Sequence, residues 1–175
     1  FALFFFFPFY FMVSSSFKHP LDSSVYPPII FNFEPTLKNY TTIFKKYPMA
    51  TYFINSFIVA TFATLVSMVL AIPASYGMER LISKNRERVA YMFLTMQLIP
   101  PISMVFALFW YANFFGILGT YWLLVIGYTL WNVPYAIWLT RGFFTTIPKE
   151  LEEAAFVDGA SRIWVLRKII IPLTK

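Results

Sequence analysis

Three apolar runs, Tyr52–Met78, Val89–Phe115 and Leu118–Leu139, constrain this chain more than any other feature. Crossing about 30 Å of hydrocarbon at roughly 1.5 Å per residue takes about 20 residues, and each run is long enough. Lipid offers no partner for backbone polar groups, so such runs read as helices that satisfy their own hydrogen bonds. A further run, Phe1–Val13, is too short to cross unaided and is read as the outer half of a span near residues 1–16 whose start is missing. It lacks the basic start and the small-residue cleavage pattern of a signal peptide. The expected fold class is all-α: a polytopic α-helical membrane protein with spans near 1–16, 52–78, 89–115 and 118–140. One transmembrane domain over 1–175 is expected, a fragment at both ends.

Composition agrees. Charged residues make up only 13% of the chain against 59% hydrophobic, where a soluble domain carries about 25% charged. The net charge of +6 raises the question of nucleic acid, but the basic residues alternate with apolar runs instead of forming one patch. Connections rich in Lys and Arg face the cytoplasm. Arg80, Lys84, Arg86 and Arg88 crowd residues 79–88, and Arg141, Lys149, Arg162, Arg167, Lys168 and Lys175 follow the last run. Both stretches are therefore placed inside and the uncharged turn at 115–119 outside. The long, Pro-punctuated loop 17–51 is extracytoplasmic on this reading, despite Lys18, Lys38, Lys45 and Lys46. The absence of cysteine excludes disulfides and thiolate metal sites.

Prolines interrupt the runs at Pro73, Pro100, Pro101 and Pro134. Each removes a backbone donor and crowds the preceding turn. They are either fixed kinks that help the helices pack, or places where helices bend around a substrate path.

Beyond the last run, Pro148 suits the first turn of a helix. Glu150, Glu152 and Glu153 complement the positive end of its dipole. Gly159 fits its stop, and Ser161 can cap a second helix through Trp164, Leu166 and Ile170 that Pro172 breaks or redirects. Leu151, Ala154, Ala155 and Asp158 share one face of the first helix, flattened by the alanines. Such a helix either lies on the membrane surface or seats in a groove on a soluble partner. Surface helices favour Lys and Arg beside bulky apolar groups, and this one is acidic and alanine-rich.

The same stretch carries a motif. Glu153-Ala-Ala is followed after three residues by Gly159, after nine more by Ile169, and then by Ile171 and Pro172. This resembles the EAA loop of permease subunits of bacterial ATP-binding-cassette importers, departing from it at Ile171, where Leu is usual. Val13-Ser-Ser-Ser-Phe-Lys, Asn55-Ser-Phe-Ile-Val-Ala, Thr120-Tyr-Trp-Leu-Leu, Ala136-Ile-Trp-Leu-Thr-Arg-Gly-Phe-Phe and Ile147-Pro-Lys-Glu-Leu-Glu-Glu-Ala-Ala resemble carbohydrate-importer permeases of the maltose-transporter type, in the family's order.

The resemblance implies an importer-permease bundle in a bacterial or archaeal cytoplasmic (inner) membrane, with two helices beyond the EAA loop absent from this chain. It implies two ATPase subunits, a second and non-identical permease, an extracytoplasmic solute-binding protein and a carbohydrate substrate. The loop 147–172 would be the cytoplasmic coupling element, with Glu153, Ala154, Ala155 and Gly159 at the ATPase contact and Asp158 beside them. The chain would bind no cofactor, ATP being hydrolysed by the partner subunit, and nothing in it resembles a phosphate-binding Gly-rich loop. No enzyme activity and no nucleic-acid partner are expected.

Gln97, Tyr128, Trp131, Asn132 and Tyr135 are polar or aromatic groups within the third and fourth runs. They are candidates for the substrate path, since amides and aromatic faces suit sugar hydroxyls and C–H faces. The alternative is that the amides bond across helices and the aromatics pack. Importers of amino acids, phosphonates or peptides also carry EAA loops, and a passive channel or scaffold could share the helices though not the motif.

Overall fold

A computed structural model describes residues 2–22, 25–82 and 84–174; Phe1 and Lys175, which the sequence reading placed in the first span and among the inner basic residues, lie outside the described residues. The described elements are helical: α1 (Ala2–Ser16), α2 (Lys38–Lys46), α3 (Met49–Leu81), α4 (Arg86–Met96), α5 (Pro101–Phe114), α6 (Tyr121–Thr145), α7 (Glu150–Val157) and α8 (Arg162–Val165). The last continues through a π-turn, Leu166–Ile170, into Ile171–Leu173. Among the described residues two helices, α3 and α6, are each long and apolar enough to cross a membrane, and only 22% and 17% of their most apolar windows are buried within the chain. Surfaces this apolar and this exposed need lipid or other helices around them. The molecule is an all-α, multi-span membrane protein.

The run 89–115, expected as one span, holds two helices, α4 and α5, bent by 79° at a short break, the geometry of a broken span or of a re-entrant loop. The prolines explain the break. Pro100 is extended (φ −59°, ψ 132°) and Pro101 starts α5, where its missing N–H is no loss. The end of α4 tightens through Gln97 N–H to Leu94 O (3.1 Å), Leu98 N–H to Thr95 O (3.0 Å) and Ile99 N–H to Met96 O (3.2 Å), the short-range bonds that close frayed helix ends. The double proline is thus a corner between two helices, not a kink within one.

Packing divides the chain into two units, Phe1–Ser56 and Phe57–Lys175. In the first unit the loop after α1 is tied down by Lys18, which is only 1% exposed. Its ammonium donates to Ile29 O (2.5 Å) and lies 5.0 Å from the ring centres of both Phe11 and Phe33, the geometry of a cation–π cage. Asn39 on α2 donates to Ser16 O (3.1 Å) and Lys18 O (2.7 Å), the open carbonyls at the end of α1.

The second unit is organised by α3. Val59, Ala63, Ser67, Ala71 and Ser75 are buried and recur every fourth residue, a stripe of mainly small side chains that lets another helix approach closely. Val59 and Ala63 pack on Val125 of α6, and Ala71 and Met78 pack with Ala90 of α4 and Ile137 of α6. Ser75 and Thr140 join α3 to α6 by a hydroxyl bond of 2.9 Å. The α5–α6 turn is closed by Gly116 at φ +67°, with Gly116 N–H to Asn113 O (3.2 Å) and Ile117 N–H to Ala112 O (2.9 Å).

Candidate functional site

The segment 147–172 forms a helix–turn–helix. Glu150, Glu152 and Glu153 fill the first turn of α7, where carboxylates meet the free N–H groups and positive dipole end. Glu152 and Glu153 N–H both donate to Lys149 O (2.9 and 3.0 Å), so the helix starts past Pro148 and the proline precedes the first turn instead of occupying it. At the other end Gly159 takes φ +84°. Its N–H bonds to Phe156 O (3.0 Å), and that of Ala160 bonds to Ala155 O (2.9 Å). These are the two bonds of a Schellman stop, which needs the left-handed residue that glycine supplies. Ser161 Oγ then accepts from Trp164 N–H (3.3 Å) and caps α8. Pro172, expected to break or redirect this second helix, lies in its continuation Ile171–Leu173, just past the π-turn. The π-turn ahead of it lets Ile171 N–H reach Leu166 O, so the winding adjusts before the proline instead of stopping there.

The two helices enclose an open cleft of about 710 Å³ lined by Leu151, Ala154, Ala155, Asp158, Gly159, Ser161 and Trp164 among others. The shared face read from helical spacing, Leu151, Ala154, Ala155 and Asp158, is the α7 wall of that cleft. Glu153 is exposed beside it. Behind the cleft Ala155, Phe156, Ala160 and Ile169 pack on a buried cluster of Tyr76, Phe144, Ile147, Val165, Leu166 and Ile170. This cluster seats the loop on the ends of α3 and α6.

A second set of contacts was not anticipated from the sequence. Glu152, one residue from the exposed Glu153, is 3% exposed and points back towards α3. Its carboxylate accepts from Arg80 Nε (2.5 Å) and Tyr76 Oη (2.7 Å). The same guanidinium donates to Phe144 O (3.1 Å) and Ile147 O (3.0 Å) at the end of α6. The neighbouring Glu79 is also buried and takes Arg86 Nη1 (3.0 Å) and Arg141 Nε (2.9 Å), while Arg141 also pairs with Glu87. Acids and arginines at the ends of apolar runs were the available signal; their partners, more than sixty residues apart in sequence for Arg80–Glu152, were not.

The five path candidates separate. Gln97 Nε2 donates to Trp131 O (2.9 Å) across the helix pair, the interhelical alternative. Tyr128 and Trp131 line an apolar cleft of about 500 Å³ with Pro101, Leu108 and Gly127. Tyr135 stacks on Trp138 at 6.4 Å, and Asn132 is exposed on α6. Gln97, Asn132 and Tyr135 do not line that cleft. Among the described residues no group of three or more His, Cys, Asp or Glu is placed to hold a metal ion.

Residues 71–175 match the family described as binding-protein-dependent transport system inner membrane component. The chain is 33% identical over 170 residues to the trehalose/maltose transport system permease protein MalG of Thermococcus litoralis, covering 96% of this chain and 60% of that protein. It is 30% identical to the sulfoquinovosyl glycerol transport system permease protein SmoH of Agrobacterium fabrum (95% of this chain, 59% of that one). With the diacetylchitobiose uptake system permease protein DasC of Streptomyces coelicolor it shares 32% (95% and 60%). A chain from the crystal structure of a bacterial ABC transporter involved in the import of the acidic polysaccharide alginate superposes with a TM-score of 0.77 at 20% identity, over 98% of this chain and 60% of that one. This last likeness shows the fold. The chain spans about 60% of the length of these relatives. On its family match the chain belongs to the binding-protein-dependent transport system inner membrane components, a family of transport proteins and not of enzymes.

Proposed function

We propose that this chain is the transmembrane permease subunit of an ATP-driven carbohydrate importer, forming half of a translocation path and docking a separate ATPase subunit through residues 147–172. The observation that carries the docking role is the open cleft whose walls are Ala154, Ala155, Asp158 and Gly159, on a loop with the EAA spacing. Its small side chains let a partner's backbone approach, and its Schellman turn and serine cap hold it rigid. The machine so assembled has two ATPase subunits, a second and different permease and an extracytoplasmic binding protein that delivers substrate. It sits in a bacterial or archaeal cytoplasmic membrane, with 79–88 and 147–172 inside, as the basic connections favour.

A carbohydrate cargo is supported by relatives described as transporting trehalose/maltose, sulfoquinovosyl glycerol and diacetylchitobiose. Tyr128 and Trp131, which share one cleft, are the better-supported contacts to the path; Asn132 and Tyr135 remain candidates on the same helix. The test is ATP hydrolysis by the full-length permease reconstituted with its partner subunits and a sugar-loaded binding protein. Stimulation that Glu153→Lys abolishes with assembly intact is the expected result. Stimulation unchanged by that substitution contradicts the docking role, and stimulation only by a binding protein loaded with another solute class contradicts the cargo.

A further inference from the structure

The buried ionic cluster behind the cleft has no part in the docking surface itself. Arg80 and Glu152 side chains are 7% and 5% exposed. Burying such a pair loses hydration that its mutual attraction barely recovers, so a buried salt bridge is weak evidence of a stabilising role. As far as the two charges alone go, an apolar pair could hold the same space at no greater cost.

The geometry points to a different reason. Both carboxylate oxygens of Glu152 are occupied, one by Arg80 Nε (2.5 Å) and the other by Tyr76 Oη (2.7 Å). Both donors stand on the last turns of α3. Arg80 is fixed in turn by two backbone carbonyls, Phe144 O at 3.1 Å and Ile147 O at 3.0 Å. One guanidinium thus joins three pieces of chain: the end of α3, the end of α6 and the first turn of α7. Helix α7 cannot slide or rotate against α3 without breaking directed bonds, whereas a purely apolar contact could slip. The adjacent Glu79 extends the junction, since its carboxylate holds Arg86 of α4 and Arg141 of α6. Neighbouring residues at the inner end of α3 therefore grip the loop on one side and the other two helices on the other.

We propose that Tyr76, Arg80 and Glu152 form the clamp that converts displacement of the 147–172 loop into displacement of α3, with Glu79 and Arg141 passing it to α4 and α6. These are positioning residues. None of them lines the cleft, and the role rests on the docking reading above. The small open face takes the push, and the buried carboxylate one residue behind it delivers the push to the spanning helices.

The test uses the full-length permease assembled with its partner subunits in proteoliposomes. Residues 1–175 contain no cysteine, so with any cysteine elsewhere in the full-length permease and its partners replaced, Arg80→Cys/Glu152→Cys supplies the only thiol pair. Three quantities are read: retention of the ATPase subunit on purification, ATP hydrolysis stimulated by loaded binding protein, and solute uptake. With the thiols free, the ATPase subunit stays bound while stimulated hydrolysis and uptake fall at least tenfold. Bridging the thiols with a short bifunctional maleimide restores both by at least half, because a covalent link replaces the ionic one. Stimulation that survives with free thiols while Gly159→Arg abolishes it overturns the clamp and leaves docking intact. Loss of the ATPase subunit from the double-cysteine variant, or loss of stimulation that bridging does not restore, also overturns it, since the pair then only supports the fold. If Gly159→Arg has no effect either, the docking reading falls and the clamp with it.

Discussion

Gly159 offers the most analysable perturbation, because its surroundings separate two effects that usually come together. Its φ is +84°, and a Cβ built there meets nothing within 4 Å. A side chain therefore adds no clash, and its cost is the backbone alone: about 1–2 kcal/mol for an L-residue in the left-handed region. That corresponds to at most roughly a 5–30-fold loss in the population of the closed turn, and to the same factor in apparent affinity for a partner that recognises it. Gly159→Ala carries this cost and nothing else. Gly159→Asn carries less of it, since Asn tolerates the conformation. Gly159→Arg carries the alanine cost and also projects a long cation beside the cleft wall of Ala155, Asp158 and Ser161. Titrating detergent-solubilised permease complex with its ATPase subunit, read by fluorescence anisotropy, should rank affinity wild type, Asn, Ala, Arg. Ala should fall within the bound above and Arg well beyond it. Arg binding no more weakly than Ala would refute the argument, because the added bulk would then face no partner.

Three further outcomes are expected. Glu152→Ala leaves the Arg80 guanidinium and Tyr76 hydroxyl buried without their carboxylate and should destabilise by about 3–5 kcal/mol, whereas Tyr76→Phe/Arg80→Met/Glu152→Met leaves no unpaired charge and only the Phe144 and Ile147 carbonyls without their donor and should lose less than Glu152→Ala; chemical denaturation in detergent micelles followed by tryptophan fluorescence distinguishes them, and equal losses would contradict the ionic account. Lys84→Cys and Leu118→Cys should react with an impermeant maleimide from opposite faces of oriented vesicles, the lysine position from the inner face, and labelling from one common face would overturn the topology. Gln97→Leu removes one interhelical bond to Trp131 O, worth on the order of 0.6 kcal/mol, and should leave uptake near normal, while Tyr128→Ala should lower uptake severalfold; the reverse order would reassign the path.

Local chemistry was largely legible in the sequence. The runs 52–78 and 118–139 announce α3 and α6 because lipid-length apolar helices have few alternatives. Gly159 and Ser161 mark a stop and a start because few other residues serve at those positions. The shared face of Leu151, Ala154, Ala155 and Asp158 followed from helical periodicity and lines the cleft. Contacts at long range were not legible. Hydropathy cannot distinguish a kink from a corner, so the 79° bend at Pro100–Pro101 is not legible in the run 89–115. Three glutamates in the first turn of α7 look alike in sequence, yet a rotation of one residue buries Glu152 on Arg80 and leaves Glu153 in solvent. The buried stripe from Val59 to Ser75 did carry a signal, small residues at every fourth position, that apolar counts alone conceal.

Direct contact between the loop and the ATPase tests the central claim most simply. Ala154→Cys lies in the open cleft and Trp122→Cys at the opposite end of α6, and each can be probed in the assembled complex with a short photoactivatable thiol reagent. A cross-link from position 154 to the ATPase subunit, altered in yield by ATP and absent from position 122, is the expected result. A complex that hydrolyses ATP under binding-protein control yet gives no cross-link from position 154 would contradict the account.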